Sequence, residues 1–433
     1  MKKMNFQETV YPSSDTIQIM QQQKLQRLLV YLNKHSPFYR DLFAKHQIDI
    51  NTIKTIPDLT RIPTTGKEDL QQRNEDFLCV PRNKIIEYAS TSGTLGSPVT
   101  ISLTENDLIR LAHNEYSSFV CADGSADDIY QLMLTLDRQF MAGIAYYSGL
   151  RKLGAGIIRL GPGVLSLQWE TIQRLKPTAI IAVPSFILKL IQYAKDNHLD
   201  LNGSSVKKAI CIGENIHNTD FSFNILGKKI KEAWDIRLYS TYASTEMQTA
   251  FTECSEAHGG HLQPELLIVE LLDENNQQVA PHMPGEVTIT TLGVEGMPLL
   301  RYKTGDICMY FDEPCACGRA SLRLSPVIGR KKQMIKFKGT TLYPPALFDL
   351  LNEMEDILDF VVDVYSNEIG LDEVLLHLLP ADKSEACDHR IRANLQARLR
   401  VSPSIVYVDT ETIQKMHFSE SGRKLVKFID RRK

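Results

Sequence analysis

The chain contains 433 residues, enough for two or three domains of ordinary size. Hydrophobic residues make up 43% of it and charged residues 23%, a balance typical of a globular protein and too apolar for a disordered one. The formal net charge of -3 does not suggest a protein that binds nucleic acid or a membrane surface, so we expect neither as a partner. No apolar run is long enough to span a bilayer, and Lys2 and Lys3 do not precede the apolar stretch of a secretory signal.

The first predicted element is a helix over residues 15–34, where apolar residues recur at helical spacing and Asp15 is a suitable N-cap. Further along, residues 178–185 and 207–215 are short apolar runs, and residues 186–197 between them have the period of an amphipathic helix. Strand, helix and strand in this order predict a parallel sheet, whose functional groups gather at the carboxyl ends of the strands.

Residues 266–291 contain two apolar runs separated by an Asn-rich turn and a Pro-Gly turn, which predicts antiparallel β structure. After Gly329 the pattern changes to a smaller mixture of strands and helices, so we place a domain boundary near residues 330–332. The predicted fold class is α/β. Residues 1–329 form a large N-terminal domain with a βαβ parallel sheet and an antiparallel region, and residues 330–433 form a small C-terminal α+β domain.

The cysteines are spread along the chain, with one close pair at Cys315 and Cys317. This spacing does not suit a disulfide scaffold, and it favours a reducing compartment with a metal site. We therefore expect a cytoplasmic protein.

Four short segments carry residue types suited to nucleotide chemistry. Thr91-Ser-Gly-Thr-Leu-Gly-Ser-Pro98 combines hydroxyls with two glycines, so backbone amides can approach a phosphate closely, although no Walker A lysine follows. Tyr242-Ala-Ser-Thr-Glu246 offers a hydroxyl and a hard oxygen ligand for Mg²⁺. Arg301-Tyr-Lys-Thr-Gly-Asp306 offers a carboxylate for the two ribose hydroxyls, and a basic turn starts at Gly329. Taken singly, each segment is equally well explained as a polar loop or an exposed turn.

In this order and spacing the segments resemble the adenylate-forming enzymes, and specifically their phenylacetate–CoA ligase branch. That branch has a Ser/Thr-Ser-Gly-Thr-Thr-Gly-x-Pro loop, then Tyr-Gly-x-x-Glu, Arg-Tyr-x-Thr-x-Asp, Cys-x-Cys-Gly-Arg and Gly-Arg-x-Asp-Asp-Met-Ile. The chain departs from the pattern at Leu95, Ala243 and Lys332-Gln333, where the family has Thr, Gly and Asp-Asp. None of these departures removes a metal or ribose ligand that the family pattern implies.

The resemblance implies an ATP-dependent acyl-CoA ligase that forms acyl-AMP and pyrophosphate from a carboxylic acid and then transfers the acyl group to CoA. The family favours aryl and arylacetic acids such as phenylacetate, but the sequence does not say which acid binds. Two competing interpretations are an adenylating enzyme that passes the acyl group to a carrier protein or amine, and a non-catalytic nucleotide-binding relative. A homodimer is left open.

The resemblance also implies a role for individual residues. The loop residues Thr91, Ser92, Gly93, Thr94 and Gly96 hold the β- and γ-phosphates, and the adenine is bordered by Gly213, Glu214 and Tyr242. The α-phosphate, Mg²⁺ and ribose are contacted by Thr245, Glu246, and the pair Asp306 and Arg330, respectively. The catalytic lysine aligns with Lys424, with Lys427 in reserve because the register of the tail is not secure, and Lys332 takes the hinge position.

A structural zinc site is the last prediction. Cys254, Cys315 and Cys317 supply three thiolates, and tetrahedral zinc prefers three or four Cys and His ligands. Members of the branch that keep the Cys-x-Cys pair tend to keep a histidine at the position of His261, and His258 is the alternative. Four protein ligands leave no open position, so such a zinc would be structural and not catalytic. Free cysteines in a β core are the competing explanation.

Overall fold

The computed structural model describes residues 11–91, 99–337, 340–368, 371–399, 401–417 and 426–432. Contacts divide them into two compact units. The first unit comprises the described residues up to Thr304 together with Cys308–Val327, and the second comprises Gly305–Ile307 together with the described residues from Ile328 onward. Gly305–Ile307 groups with the second unit because it pairs with Gly329–Arg330, although it lies within the N-terminal domain predicted from the sequence, residues 1–329.

The helices and strands of the first unit follow one another as short elements. The helices are α1 (Ser14–His35), α2 (Pro37–Lys45), α3 (Lys67–Arg73), α4 (Glu105–Cys121), α5 (Met141–Leu153), α6 (Leu165–Leu175), α7 (Pro184–Asp196) and α8 (Ile225–Ala233). The first seven strands in chain order are β1 (Glu87–Ser90), β2 (Thr100–Leu103), β3 (Ile129–Leu132), β4 (Gly156–Arg159), β5 (Ala179–Ala182), β6 (Lys208–Ile212) and β7 (Arg237–Ser244). The remaining strands are β8 (Thr249–Thr252), β9 (Gly260–His261), β10 (Leu267–Leu272), β11 (Gly285–Thr291), β13 (Tyr310–Phe311) and β14 (Arg323–Leu324), together with β12 (Tyr302–Cys308), of which Gly305–Ile307 group with the second unit.

Helix α1 confirms the predicted N-terminal helix and corrects its cap. Ser13 is the N-cap, because its hydroxyl accepts a hydrogen bond from the Thr16 amide at 3.3 Å. Asp15 instead lies in the first turn, where a negative charge interacts favourably with the helix dipole. The apolar face of the helix is buried.

The main sheet contains nine strands in the order β13-β14-β9-β8-β7-β6-β5-β3-β4. Strands β4, β3, β5, β6 and β7 are parallel, whereas β8 runs antiparallel to β7. The predicted βαβ unit is confirmed as β5, α7 and β6, with Ala179 opposite Lys208. Helix α7 begins at Pro184, two residues before the predicted start, because proline suits the first turn of a helix.

The predicted antiparallel region is confirmed by a second sheet. Strands β10 and β11 pair in antiparallel register from Leu267↔Thr291 to Leu272↔Glu286. Strand β12 is the next neighbour of β11, and it contains the motif residue Asp306.

The second unit has its own core and sheet. Its helices are α9 (Pro344–Glu353), α10 (Glu385–Leu399) and α11 (Thr410–His417), and its strands are β15 (Gly329–Arg330), β16 (Ile335–Phe337), β17 (Thr340–Leu342), β18 (Ile357–Ser366), β19 (Asp372–Pro380), β20 (Ser404–Tyr407) and β21 (Phe428–Asp430). Four of the strands form a sheet in the order β20-β19-β18-β21. Within the described ranges, every helix is too short or too polar to cross a bilayer.

Candidate active site

The carboxyl ends of β5 and β6 carry the first group of predicted site residues. Gly213 follows β6 with a φ of +73°, and no atom lies within 4 Å of the position that a Cβ would take there. Glu214 accepts two hydrogen bonds from Ser185, one from its amide at 2.8 Å and one from its hydroxyl at 2.9 Å. Because Ser185 lies in the first turn of α7, which follows β5, this pair joins the carboxyl ends of β5 and β6. The empty space beside Gly213 leaves its backbone open to a ligand.

A hairpin turn between β7 and β8 carries Thr245 and Glu246. The strands are antiparallel up to Ser244↔Thr249, so residues 245–248 form the turn itself. Tyr242 lies on β7, where its ring stacks on Phe251 with centroids 5.8 Å apart. The structure thus places an aromatic face and the predicted phosphate and Mg²⁺ ligands on the same hairpin.

Tyr302 orients the Glu246 side chain. Tyr302 is 1% exposed. Three effects raise the pKa of its hydroxyl far above the usual value: burial, the negative charge of Glu246, and a hydrogen bond to Glu246. The hydroxyl therefore stays protonated and donates to the carboxylate. Tyr302 has no predicted role from the sequence, although it lies next to Arg301 within the motif that ends at Asp306.

The phosphate loop is described only at its base. The Val99 amide donates to the Thr91 hydroxyl at 2.9 Å, and the Thr91 amide donates to the Val99 carbonyl at 3.0 Å. These bonds continue the β1–β2 hairpin and close the loop at both ends. The predicted ligands Ser92, Gly93, Thr94 and Gly96 lie outside the described residues.

Asp306 and Arg330 lie together in the second unit. Arg330 Nε is 3.0 Å from Asp306 Oδ1, and the two residues are direct partners between β12 and β15. The carboxylate is 7% exposed and the guanidinium 49%, so the arginine holds the carboxylate while its far side faces solvent. Lys332 lies in a short 3₁₀ helix, Lys331–Gln333, and Lys424 is outside the described residues.

The predicted metal ligands form a compact cluster in the first unit. One ligand atom from each of four residues lies within 4.8 Å of all the others, and the four are Cys254, His261, Cys315 and Cys317. Cys254 Sγ is 3.8 Å from Cys315 Sγ, and Cys317 Sγ is 3.5 Å from His261 Nε2. Burial lowers the pKa of His261 to about 3, so its ring is neutral and able to bind a cation.

His258 is not part of this cluster. The residue is exposed, and its ring packs against the ring of Phe221 with the two ring centroids 5.7 Å apart. Two residues around the cluster received no role from the sequence: Ser321, whose hydroxyl is 3.3 Å from His261 Nδ1, and Arg319, which donates to Cys317 Sγ at 3.4 Å. Three thiols and an imidazole are the donor set that tetrahedral zinc prefers, so the residues fit a structural zinc ion.

An open glycine at the carboxyl ends of the parallel strands, and a hairpin that carries a hydroxyl and a carboxylate, suit an enzyme that activates a carboxylate with ATP. The family model described as AMP-binding enzyme matches residues 17–296, and the chain belongs to this family, in its phenylacetate–CoA ligase branch. The resemblance found in the sequence is therefore confirmed, and the chain is an AMP-forming acid–CoA ligase.

Similar proteins span almost the whole chain. The phenylacetate–coenzyme A ligase of Thermus thermophilus is 26% identical over 397 residues, which are 88% of each chain. The protein of the same name from Escherichia coli is 24% identical over 421 residues, 93% of each chain. A solved 2-hydroxyisobutyryl-CoA ligase in the postadenylation state matches with a TM-score of 0.84 at 20% identity, covering 99% of this chain and 94% of its own, which supports the fold.

Proposed function

We propose that the chain activates an aryl or arylacetic acid, with phenylacetate as the first candidate, and transfers the acyl group to CoA. The names of the Thermus thermophilus and Escherichia coli relatives support this substrate class. The observation that carries the adenylation step is the hairpin turn with Glu246, whose carboxylate is held by the buried hydroxyl of Tyr302. Tyr146 is 3% exposed and packs against Phe119, so it belongs to the core and not to the acyl pocket.

In the first half-reaction a carboxylate oxygen attacks the α-phosphorus of ATP and pyrophosphate leaves. Two anions approach each other in this step, so the protein must supply fixed charge and oriented dipoles. Glu246 would hold Mg²⁺, which neutralises phosphate charge when bound, and the hydroxyl of the adjacent Thr245 would donate to the α-phosphate. In the second half-reaction the CoA thiol attacks the acyl carbon and AMP leaves.

Lys424 is the proposed cation between the carboxylate and the α-phosphate. Its competitor Lys427 has its ammonium nitrogen 4.5 Å from the ring centroid of Phe360, and its carbonyl accepts a hydrogen bond from the Val362 amide at 2.9 Å. These contacts suit a residue that stabilises the second unit, which supports Lys424 for the catalytic role. We further propose that residues 330–433 move as one domain about a hinge at Lys332.

The test is acid-dependent pyrophosphate release with ATP and Mg²⁺ over a panel of carboxylic acids, followed by detection of the CoA thioester. We expect arylacetates to be the best substrates, and Glu246→Ala to lose at least about 100-fold in rate. Glu274→Ala, at an exposed glutamate, is the control and should keep full activity. Acyl-AMP without a CoA thioester would favour a carrier protein or amine as acceptor, and a complete lack of pyrophosphate would favour a non-catalytic relative.

We also propose that Cys254, His261, Cys315 and Cys317 bind one structural zinc ion. The distances within the cluster, and the burial of three of its members, support this ligand set. Elemental analysis of protein purified without chelator should give one zinc per chain, and Cys315→Ser should lose it together with stability. Cys79→Ser, at another buried cysteine, should keep the zinc. Active protein without zinc would refute the assignment.

A further inference from the structure

A polar stripe of helix α4 follows strand β8 along its length. Arg110, Asn114 and Cys121 lie on one side of the helix and are all buried, and each makes a hydrogen bond to β8 or its preceding turn. Their partners follow the strand in order: the Gln248 carbonyl at 2.9 Å, the Ala250 amide at 3.2 Å and the Thr252 carbonyl at 3.3 Å. Arg110 is therefore the member of the stripe nearest to Glu246.

Arg110 fixes the end of the turn that carries Glu246. Its guanidinium donates to four neutral acceptors: the carbonyls of Leu266, Leu292 and Gln248 and the hydroxyl of Thr249. The Thr249 hydroxyl donates in turn to the Met247 carbonyl at 3.0 Å. Directly or through Thr249, Arg110 thus holds the two carbonyls that follow Glu246.

This arrangement carries two costs. Arg110 is 7% exposed and hydrogen-bonds no carboxylate among the described residues. The nearby charges of Asp107 and Glu265 favour the guanidinium, but its burial is the larger effect, so the charge is kept there at a cost. Gln248 has a left-handed φ of 51°, and within the described chain neither polar atom of its buried amide finds a hydrogen-bond partner. Strained backbone persists where the surroundings over-determine it, and it is concentrated at functional sites. Both costs fall on the turn that bears Glu246.

We propose that Arg110 is a positioning residue for adenylation, which sets the direction of Glu246 by holding the carbonyls of Met247 and Gln248. This inference rests on the proposed role of Glu246 as the Mg²⁺ ligand. Tyr302 holds the carboxylate itself, and Arg110 holds the backbone behind it, so the side chain is fixed from both ends. Arg110 touches no substrate in this proposal.

The experiment compares Arg110→Lys and Arg110→Met with Asn114→Leu and Cys121→Ala, the stripe members farther from the turn. Three quantities are measured for each: acyl-AMP formation against Mg²⁺ concentration, thioester formation from supplied acyl-AMP, and unfolding by urea. Mg²⁺-dependent ATP binding is measured by calorimetry alongside. Arg110→Lys keeps the charge but lacks the planar fork, so it cannot serve all four acceptors and is the variant more certain to fold.

We expect Arg110→Lys to slow acyl-AMP formation by about 100-fold and to raise the Mg²⁺ concentration for half-activation, because small displacements of positioning groups have effects of this size. Thioester formation should stay within about twofold, since it requires no attack at the α-phosphorus. Asn114→Leu and Cys121→Ala should lose stability without a change in Mg²⁺ dependence. The same loss of adenylation in all four variants, in proportion to stability, would overturn the proposal.

The calorimetric measurement separates this inference from the proposed function. If the unaltered chain released no pyrophosphate with any acid, the proposed function would fail, and Mg²⁺-dependent ATP binding would decide about Arg110. Weaker Mg²⁺-dependent binding in Arg110→Lys alone would then support the positioning role. Unchanged binding in that variant would overturn it.

Discussion

Arg301 and Glu270 form a buried ion pair next to Tyr302, and its disruption has a predictable cost. Arg301 Nη2 lies 2.8 Å from Glu270 Oε1 and Arg301 Nε lies 3.0 Å from Glu270 Oε2, with the side chains 2% and 8% exposed. Arg301 also donates to the Ile62 carbonyl. Glu270→Leu would leave this guanidinium buried without its carboxylate. Removing one partner of such a pair costs about 3–5 kcal/mol, so the free energy of unfolding should fall by that amount.

Replacing both partners tests the reasoning more sharply. In Glu270→Leu combined with Arg301→Met no charge remains buried, so most of the lost free energy should return. Urea unfolding gives the free energies, with Glu274→Leu at an exposed glutamate as the control. Partners in direct contact are non-additive, so a double variant that loses the sum of both single losses would refute the coupling. A Glu270→Leu variant within about 1 kcal/mol of the unaltered chain would refute the predicted cost itself.

Three further outcomes are expected. A hydrogen bond to Asp359 raises the pKa of His417 above 6.5 in the folded state. The stability that this histidine contributes is therefore present below pH 6.5 and is lost as pH rises through the folded-state pKa. Unfolding of the full chain, measured as a function of pH, should show that loss, and His417→Gln should abolish it. Gly213→Ala should raise the KM for ATP, because a residue with a Cβ is strained at φ +73°; an unchanged KM would contradict the placement of adenine there. Lys424→Ala should stop acyl-AMP formation and spare thioester formation from supplied acyl-AMP, whereas Lys427→Ala should spare both; equal losses in both steps for Lys424→Ala would mean that the register is wrong.

Elements with a strong local period could be predicted from the sequence. Strands β5 and β6 are continuous apolar runs, and α7 between them has a clear apolar face, so the parallel unit needs no long-range information. The predicted N-cap of α1 was wrong by two residues, because serine and aspartate are both good N-caps and only the backbone conformation shows that Ser13 takes this position. The position of Ser185, Gly213 and Glu214 at the carboxyl ends of β5 and β6 followed from the predicted βαβ topology.

Contacts between distant segments could not be predicted in the same way. His258 is closer to Cys254 in sequence than His261 is, yet His261 is the residue in the cluster, because β9 pairs His261 with Arg323 near the Cys-x-Cys turn. The partners of Arg110 lie 138 to 182 residues away, and no motif marks them. An arginine at a position of α4 that the helical period assigns to the buried face was the one signal available.

The two buried arginines near the hairpin illustrate different uses of the same side chain. Arg301 is neutralised by Glu270, so a change at either residue leaves a charge unpaired, and stability is the property that suffers. Arg110 hydrogen-bonds only neutral acceptors, and Asp107 and Glu265 favour its charge without a hydrogen bond, so in Arg110→Met part of the lost hydrogen bonding is offset by removal of a buried charge. A residue kept for stability alone would gain little from that environment. The larger effect at Arg110 should therefore appear in the rate of adenylation, and the larger effect at Arg301 in the free energy of unfolding.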